Sequence, residues 1–158
     1  APDAVARAMA AEGRPFWIRR ARDHYDAALR HHDRIVARSF EQTRASAGDG
    51  RYVAWMYLSD HGQEVGHEID HAGHSAHTAA GFRIPAVVWQ SRPRGPVPTD
   101  IEARPFRADW GSWTLAHLLA LRWRGRDPQR DALDTAYRWQ VPVLATGGAG
   151  RRPDSRGS

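Results

Sequence analysis

Residues 52–75 read YVAWMYLSDHGQEVGHEIDHAGHS, and this stretch decides the fold. Its first seven residues, 52–58, form an unbroken apolar and aromatic run, the pattern of a strand buried on both faces in a parallel sheet. Polar residues begin directly after this run, at Ser59. The turn at residues 59–62 therefore falls at the carboxyl end of the predicted strand, which is where open α/β sheets place their ligands.

Asp60 and His61 are the candidate metal ligands in this turn. A carboxylate supplies a hard oxygen and a neutral imidazole a borderline nitrogen, so the pair can face one divalent cation such as zinc, or manganese. Gly62 is expected to let the backbone turn sharply beside them. Asp-His-Gly also fits an ordinary turn without a metal, and the neighbouring segments decide between the two interpretations.

Two further elements are predicted around the central strand. Residues 81–89, GFRIPAVVW, read as a second buried strand. Tyr25, Leu29, Val36 and Phe40 recur at helical spacing and predict one amphipathic helix from residue 16 to about residue 46, lying across the sheet. The His residues of this helix, namely His24, His31 and His32, are interpreted as partly solvated side chains.

The segment after the second strand is predicted to be a loop followed by a helix. Residues 91–105 are rich in Pro and Arg and read as a surface loop. Asp109 or Ser112 is expected to cap the following helix, and His117 is interpreted as a core or surface residue. The apolar face of this helix is predicted to consist of Trp113, Leu115, Leu118, Leu119 and Leu121.

Composition excludes several classes of protein. The 158 residues suffice for one domain or part of one, and they include no Cys, so neither a disulfide framework nor thiol chemistry is proposed. The net charge of +5 comes from Arg residues spread along the chain without a nucleic-acid-binding motif, so no nucleic-acid partner is predicted. No signal-peptide pattern opens the chain, and no apolar run approaches the roughly 18 residues of a membrane helix.

Residues 67–71 read HEIDH, a formal match to the HExxH pattern of zinc proteases. In that pattern one helical turn brings His67 and His71 to the metal, and Glu68 acts as general base. Gly66 and Gly73 flank the segment and disfavour the long helix that this chemistry requires. The zinc protease therefore stands as a lesser alternative.

The strings SDHGQEVGH at residues 59–67 and AGHS at residues 72–75, followed by the second strand, resemble the phosphoethanolamine transferases. These are sulfatase-like members of the alkaline phosphatase superfamily. The resemblance extends over roughly residues 16–140, through HYDAALR at 24–30 and FRADWGSWTLAHLLAL at 106–121. It implies an α/β fold, a partial alkaline phosphatase/sulfatase-like sandwich with a mixed sheet flanked by helices, over residues 1–145. Residues 146–158, mostly Gly, Arg, Pro and Ser, are predicted to be a disordered tail.

The resemblance also implies roles for individual residues. Asp60 and His61 match the family's adjacent Asp-His, which ligates zinc. His74 resembles the His that contacts the phosphoryl group, and His71 takes that role if the alignment shifts. The implied reaction moves phosphoethanolamine from phosphatidylethanolamine to a lipopolysaccharide acceptor through a covalent intermediate. The implied location is the periplasmic face of a bacterial inner membrane.

The family's nucleophile is expected upstream of these residues. It is a Thr, or a Ser or Cys in sulfatase relatives, from the amino-terminal half of the catalytic domain, and no Thr of this chain lies in a matching context. We therefore expect no catalytic nucleophile in the chain, no activity of the chain alone, and a missing amino-terminal half as its partner. A sulfatase or phosphodiesterase hydrolase on the same scaffold, and a non-catalytic remnant, remain open alternatives, as does the identity of the acceptor.

Overall fold

The computed structural model of the chain describes residues 4–48 and 50–142. The predicted tail at residues 146–158 lies outside the described residues, and the division at residue 145 stays a prediction. Short 3₁₀ turns connect several of the regular elements. In chain order, these elements are α1 (Ala4–Ala11), α2 (Phe16–Ala45), β1 (Ala54–Leu58), β2 (Glu64–Val65), β3 (Ala72–Gly73), β4 (Ala86–Gln90) and α3 (Gly111–Leu118).

The long helix predicted from residue 16 is confirmed as α2, which has 30 residues. Its carboxyl-terminal half packs on the larger sheet, where the Phe40 ring lies 5.3 Å from the Trp55 ring and 5.6 Å from the Trp89 ring. Nearer its middle, His32 Nε2 lies 3.1 Å from Tyr57 Oη. Because these contacts reach both strands of the sheet, α2 fixes the position of β1 and of the turn that follows it.

The larger sheet has two strands, and they are antiparallel. β1 pairs with β4 so that Ala54 lies opposite Gln90 and Leu58 opposite Ala86. The predicted parallel strand buried on both faces is therefore wrong: β1 is half-buried along its whole length. An apolar run predicts burial but does not encode the direction of the neighbouring strand, and here α2 covers the sheet through aromatic side chains.

The second predicted strand is shorter than the apolar run suggests. Residues 79–81 form a 3₁₀ turn, and β4 begins only at Ala86. Pro85 lies directly before β4, and proline has no N–H group to donate to a sheet, which fits a position just outside the strand. Ala86 and Val87 are exposed, so only the later part of β4 is half-buried.

A second small sheet, β2–β3, anchors the His-rich connection to the helices. Glu64 pairs with Gly73 and Val65 with Ala72. Gly66, with a φ of +72°, lies against the side chains of Met9 and Ile18, and a Cβ there would stand 2.9 Å from Ile18 Cγ1. This close approach, together with the positive φ, requires glycine at position 66.

Helix α3 departs from the prediction in its cap and in its buried face. Its first residue follows Trp110, which makes no capping hydrogen bond through its side chain, and Asp109 is instead bound by Arg107. Leu118 is buried as predicted, but Leu115 is 46 % exposed. The helix ends at Leu118, and Ala120 takes a φ of +54°, so the last two Leu residues of the predicted face lie beyond the helix and are exposed.

Within residues 4–48 and 50–142, no helix combines the length and the apolar character that a membrane crossing requires.

Candidate metal and phosphoryl site

The turn at residues 59–62 leaves β1 directly after Leu58 and is closed by local hydrogen bonds. Ser59 Oγ donates to the His61 carbonyl oxygen at 2.9 Å, and the His61 N–H donates to Asp60 Oδ1 at 3.0 Å. The Asp60 side chain is 86 % exposed and that of His61 is 42 % exposed. Both functional groups therefore face the surface at the end of the strand, as the sequence predicts.

Gly62 is needed for close packing, and its φ is not positive. The Gly62 N–H donates to the Gly81 carbonyl oxygen at 3.0 Å, and a Cβ on Gly62 would collide with the backbone oxygen atoms of Ala80 and Arg83. The expected role of Gly62 in a sharp turn is thus replaced by a steric role. It brings residues 59–62, which we call the metal turn after their predicted role, against the segment that leads into β4.

The His61 ring is held by a backbone carbonyl group of its own turn. His61 Nδ1 lies 2.9 Å from the Gly62 carbonyl oxygen, which can only accept a hydrogen bond, so the proton belongs on Nδ1. Nε2 then carries the free lone pair, and it lies 3.6 Å from Asp60 Oδ2. A backbone carbonyl that accepts from the remote ring nitrogen is the usual support of a metal-binding His.

Asp60 is ionised at neutral pH. Hydrogen bonds from the backbone N–H groups of Asp60 and His61 hold the pKa of Asp60 below its ordinary value of 3.8. An anionic oxygen is therefore present beside the free nitrogen of His61. This combination attracts a divalent cation.

The donor set fits zinc in chemistry and in spacing, but it is incomplete. Two ligand atoms at about 2.0–2.2 Å from a tetrahedral zinc lie roughly 3.4 Å apart, close to the 3.6 Å between His61 Nε2 and Asp60 Oδ2. In the described part of the chain, no group of three or more His, Asp or Glu residues is arranged to hold a metal ion. A zinc ion at this pair would need further ligands besides Asp60 and His61.

The structure brings His74 to the pair. The rings of His61 and His74 meet edge to face, with their centroids 4.6 Å apart. His71 Nε2 lies 3.2 Å from the His74 carbonyl oxygen, so the His71 imidazole is occupied by the backbone of the AGHS segment. Of the two residues predicted to contact the phosphoryl group, His74 therefore lies against His61, and His71 supports the segment that carries His74.

The HExxH alternative is wrong, because residues 66–70 form bends and no helix joins His67 to His71. His67 Nδ1 lies 3.1 Å from Arg22 Nη1, whereas the His71 ring contacts the His74 backbone. Burial and the charge of Arg22 lower the pKa of His67. The two His residues are therefore engaged in separate contacts and do not form the one-turn ligand pair of a zinc protease.

Sequence reasoning missed Glu64, which is completely buried. Its Oε1 accepts hydrogen bonds from the backbone N–H groups of His67 and Glu68, so the carboxylate closes the loop between β2 and β3. Burial raises the pKa of Glu64, but these N–H groups and the Thr78 hydroxyl outweigh it and hold the pKa below 4.5. The only sequence signal was an acidic residue at the start of a His-rich loop.

Three further His residues, His31, His32 and His117, make contacts of their own. His32 contacts Tyr57, and His31 Nδ1 lies 3.4 Å from Arg34 Nη2, a contact within one turn of α2. His117 Nδ1 lies 2.7 Å from Asp131 Oδ2, and Asp131 is completely buried. This arrangement agrees with the interpretation of His117 as a structural residue.

Helices packed on small antiparallel sheets, with an Asp-His pair at the end of a strand, define an α/β scaffold with an enzyme-type site. The chain belongs to the sulfatase family: the family model described as Sulfatase matches residues 2–105, more than half of the chain. The match includes Asp60, His61, His71 and His74, and it confirms the predicted sulfatase-like fold class. No curated protein and no solved structure matches the chain.

Proposed function

We propose that these residues are the carboxyl-terminal part of the catalytic domain of a metal-dependent phosphoethanolamine transferase. The observation that carries the proposal is the grouping of Asp60, His61 and His74 at the end of β1 in a sulfatase-family chain. The QEVGH and AGHS strings, at residues 63–67 and 72–75, favour the transferase over other members of the superfamily.

In this proposal Asp60 Oδ2 and His61 Nε2 are ligands of a zinc or manganese ion. The bound metal acts as a Lewis acid on phosphoryl oxygens and lowers the pKa of the nucleophile. Asp60 contributes a full negative charge, because the hydrogen bonds of its own turn keep it ionised. The Gly62 carbonyl holds the His61 ring with Nε2 outward, so the ligand atom needs no reorientation.

His74 is proposed to contact the phosphoryl group. Its ring lies against His61, so a phosphoryl oxygen near the metal ligands is also near the His74 imidazole. An imidazole N–H placed there stabilises the negative charge that develops on the phosphoryl oxygens during transfer. His71 acts through the His74 backbone and is a positioning residue in this scheme.

The nucleophile is proposed to be a hydroxyl outside these 158 residues. It attacks the phosphorus of phosphatidylethanolamine, diacylglycerol leaves, and a covalent phosphoethanolamine enzyme forms. A lipopolysaccharide hydroxyl or phosphate oxygen then attacks this intermediate, takes the phosphoethanolamine group and regenerates the enzyme. The proposed location is the periplasmic face of the bacterial inner membrane, where the donor lipid and the acceptor are both present.

A hydrolase on the same scaffold is the second candidate, because the family model that matches is described as Sulfatase. In a hydrolase, water replaces the lipopolysaccharide acceptor in the second step. The metal ligands would be the same two side chains. The two candidates therefore differ in the fate of the covalent intermediate, and this is what the experiment has to measure.

The test uses the longest natural form of the protein, incubated either with a phosphatidylethanolamine analogue or with an aryl sulfate. The transferase predicts a phosphoethanolamine adduct by mass spectrometry, release of diacylglycerol, and loss of both in Asp60→Asn and His61→Gln. The matched controls, Asp33→Asn and His31→Gln, change exposed residues of α2 and should keep the activity. Sulfate release without a phosphoethanolamine adduct would instead identify a hydrolase, and no turnover of either substrate would identify a remnant.

A further inference from the structure

A cavity of about 730 Å³ lies at the opposite end of the larger sheet from the metal turn. Tyr52 lies just before β1, and Arg92 and Arg94 lie just after β4, so all three are at this end of the sheet. Here the Ser91 N–H donates to the Val53 carbonyl oxygen at 2.8 Å. The extended chain from residue 52 to residue 58 alone spans about 20 Å. The cavity is therefore a site distinct from Asp60 and His61.

Four guanidinium groups line this cavity, those of Arg92, Arg94, Arg122 and Arg126, and we call it the arginine cavity. Among the described residues that line it, Asp134 is the only acidic one. The wall thus keeps a net positive charge even with a neutral His117. Its volume lies within the range of about 300–1,000 Å³ that small-molecule sites occupy.

Two of these arginines are held in place by the protein. The Arg94 guanidinium carbon lies 3.6 Å from the centroid of the Tyr52 ring, a cation–π contact. Arg126 Nη2 donates to Asp131 Oδ2 at 2.7 Å and to Asp134 Oδ2 at 3.2 Å. Arg126 is thus shared between two carboxylates, and the positive charge of the cavity comes from Arg92, Arg94 and Arg122.

The other two arginines have free donors. Within residues 4–48 and 50–142, Arg92 and Arg122 make no hydrogen bond, ion pair or ring contact, and both are exposed at the cavity. A guanidinium group offers a planar fork of N–H donors that matches the oxygens of phosphate and sulfate groups. Two such groups on one wall are suited to a tetrahedral oxyanion.

Apolar side chains adjoin the two free arginines. Leu121 and Trp123, the sequence neighbours of Arg122, both line the cavity. They are 54 % and 43 % exposed. The Trp123 ring is fixed by the Trp113 ring, with centroids 5.2 Å apart. An anion that carries an organic body can bury that body against these side chains, whereas a bare ion leaves them in water.

We propose that the arginine cavity binds a phosphate or sulfate ester, whose oxyanion lies between Arg92 and Arg122 and whose organic part lies against Leu121 and Trp123. The ester is either a soluble molecule or the headgroup of a membrane lipid. Because the cavity is separate from the metal turn, and residues 117–134 lie beyond the family match, this site does not depend on the proposed transferase activity.

The test measures binding of glycerol 3-phosphate to the full 158-residue chain by calorimetry, and of phosphatidylcholine vesicles with and without phosphatidic acid by co-sedimentation. Arg92→Ala/Arg122→Ala is expected to weaken binding at least tenfold. The control Arg20→Ala/Arg38→Ala removes two exposed arginines of α2 and therefore has the same net charge as Arg92→Ala/Arg122→Ala. It should change the affinity less than twofold. Arg92→Lys/Arg122→Lys should restore part of the affinity, because lysine keeps the charge but lacks the fork.

The two binding assays distinguish the sources of the ester. Binding of glycerol 3-phosphate supports a soluble ester, and binding only to vesicles that contain phosphatidic acid supports a lipid headgroup. Absence of binding in both assays overturns the proposal. Equal weakening in the Arg20→Ala/Arg38→Ala control also overturns it, since the effect would then follow net charge and not the cavity. Circular dichroism of each variant verifies the fold.

Discussion

Two carboxylates near the metal turn have lowered pKa values for different reasons. Asp60 is 86 % exposed and is kept ionised by backbone N–H groups of its own turn. Glu64 has no exposed surface and is kept ionised by N–H groups of the loop between β2 and β3, against the opposing effect of burial. Asp60 is therefore accessible to a cation, whereas Glu64 has a structural role.

Glu64→Gln is predicted to destabilise the fold by about 1–2 kcal/mol, because a neutral amide oxygen replaces a charged acceptor of two backbone hydrogen bonds. Urea unfolding followed by circular dichroism measures the change. The control is Glu41→Gln, which alters an exposed ion pair with Arg44 and should stay within about 0.5 kcal/mol. Equal effects of the two substitutions would contradict the structural role of Glu64.

Stability is predicted to fall in two steps as the pH is lowered. The pKa of His67 is below 6.5 in the folded protein. As the pH falls through about 6.5, His67 is therefore protonated in the unfolded chain before it is protonated in the folded protein. This favours the unfolded chain, and stability is lost. The pKa of Glu64 is below 4.5 when folded, so a further loss begins near pH 4.5. Arg22, Asp26 and Glu68 are the other charges that act on His67.

Urea unfolding at a series of pH values measures this dependence. His67→Gln should remove the first step, since it lacks the titrating group. Glu64→Gln should reduce the second step, to which Asp60 and Asp109 also contribute because their pKa values are lowered as well. A wild-type stability that stays constant from pH 7 to pH 5 would contradict the assignment of the first step to His67.

Among the elements, α2 holds the strand pair through one aromatic side chain. The Phe40 ring contacts Trp55 on β1 and Trp89 on β4, and Trp55 Nε1 also donates to Ser39 Oγ at 3.1 Å. These contacts tie the end of the helix to both strands. The position of the metal turn relative to α2 depends on them, since β1 leads directly into that turn.

Phe40→Ala is predicted to destabilise the protein by about 1–3 kcal/mol, less than the loss at a fully buried Phe, because Phe40 is half-buried. The measurement is the midpoint of urea unfolding. Phe16→Ala is the matched control: Phe16 lies on the same helix, is 68 % exposed, and should change stability by no more than about 0.5 kcal/mol. A smaller effect at Phe40 than at Phe16 would show that the helix does not hold the sheet.

The sequence predicts elements better than it predicts their partners. Helical spacing identifies α2, and apolar runs identify β1 and β4, because each signal is local. The antiparallel pairing and the half-exposed faces were missed, since an apolar run carries no information on strand direction. The cap of α3 was missed because Arg107 binds Asp109, a contact that helix propensity does not include.

The candidate site shows the same limit. Asp60 and His61 are adjacent in sequence, so their pairing could be predicted. The contact of His61 with His74 and the buried position of Glu64 depend on how the loop folds back, and the sequence indicates neither. The arginine cavity joins segments that lie about thirty residues apart, and the sequence showed one of them only as a surface loop rich in Arg.

On the scale of the whole molecule, large apolar side chains remain exposed. Trp17 and Ile35 are 52 % and 53 % exposed, and their separation of 18 residues, five helical turns, places them on one face of α2. In the described part of the chain, the larger sheet consists of two strands. Exposed apolar surface and open strand edges both favour association.

The 158-residue chain is therefore predicted to self-associate between about 5 and 200 μM. Sedimentation velocity should show a coefficient that rises with concentration, and Ile35→Gln should reduce the rise. Val97→Gln removes a side chain of similar exposure, 52 %, outside α2 and should leave association unchanged. A chain that stays monomeric over the whole range would contradict the prediction.

Zinc binding measured by calorimetry tests the central claim, the metal turn at the end of β1, most directly. We expect about one zinc per chain at modest affinity, because Asp60 and His61 are the two candidate ligands among the described residues. Binding should be at least tenfold weaker in Asp60→Ala and in His61→Ala. His31→Ala, an exposed His of α2, should bind as the wild type does. If Asp60→Ala and His61→Ala bind zinc as well as the wild type while His67→Ala and His71→Ala do not, the metal lies in the His-rich loop and the claim fails.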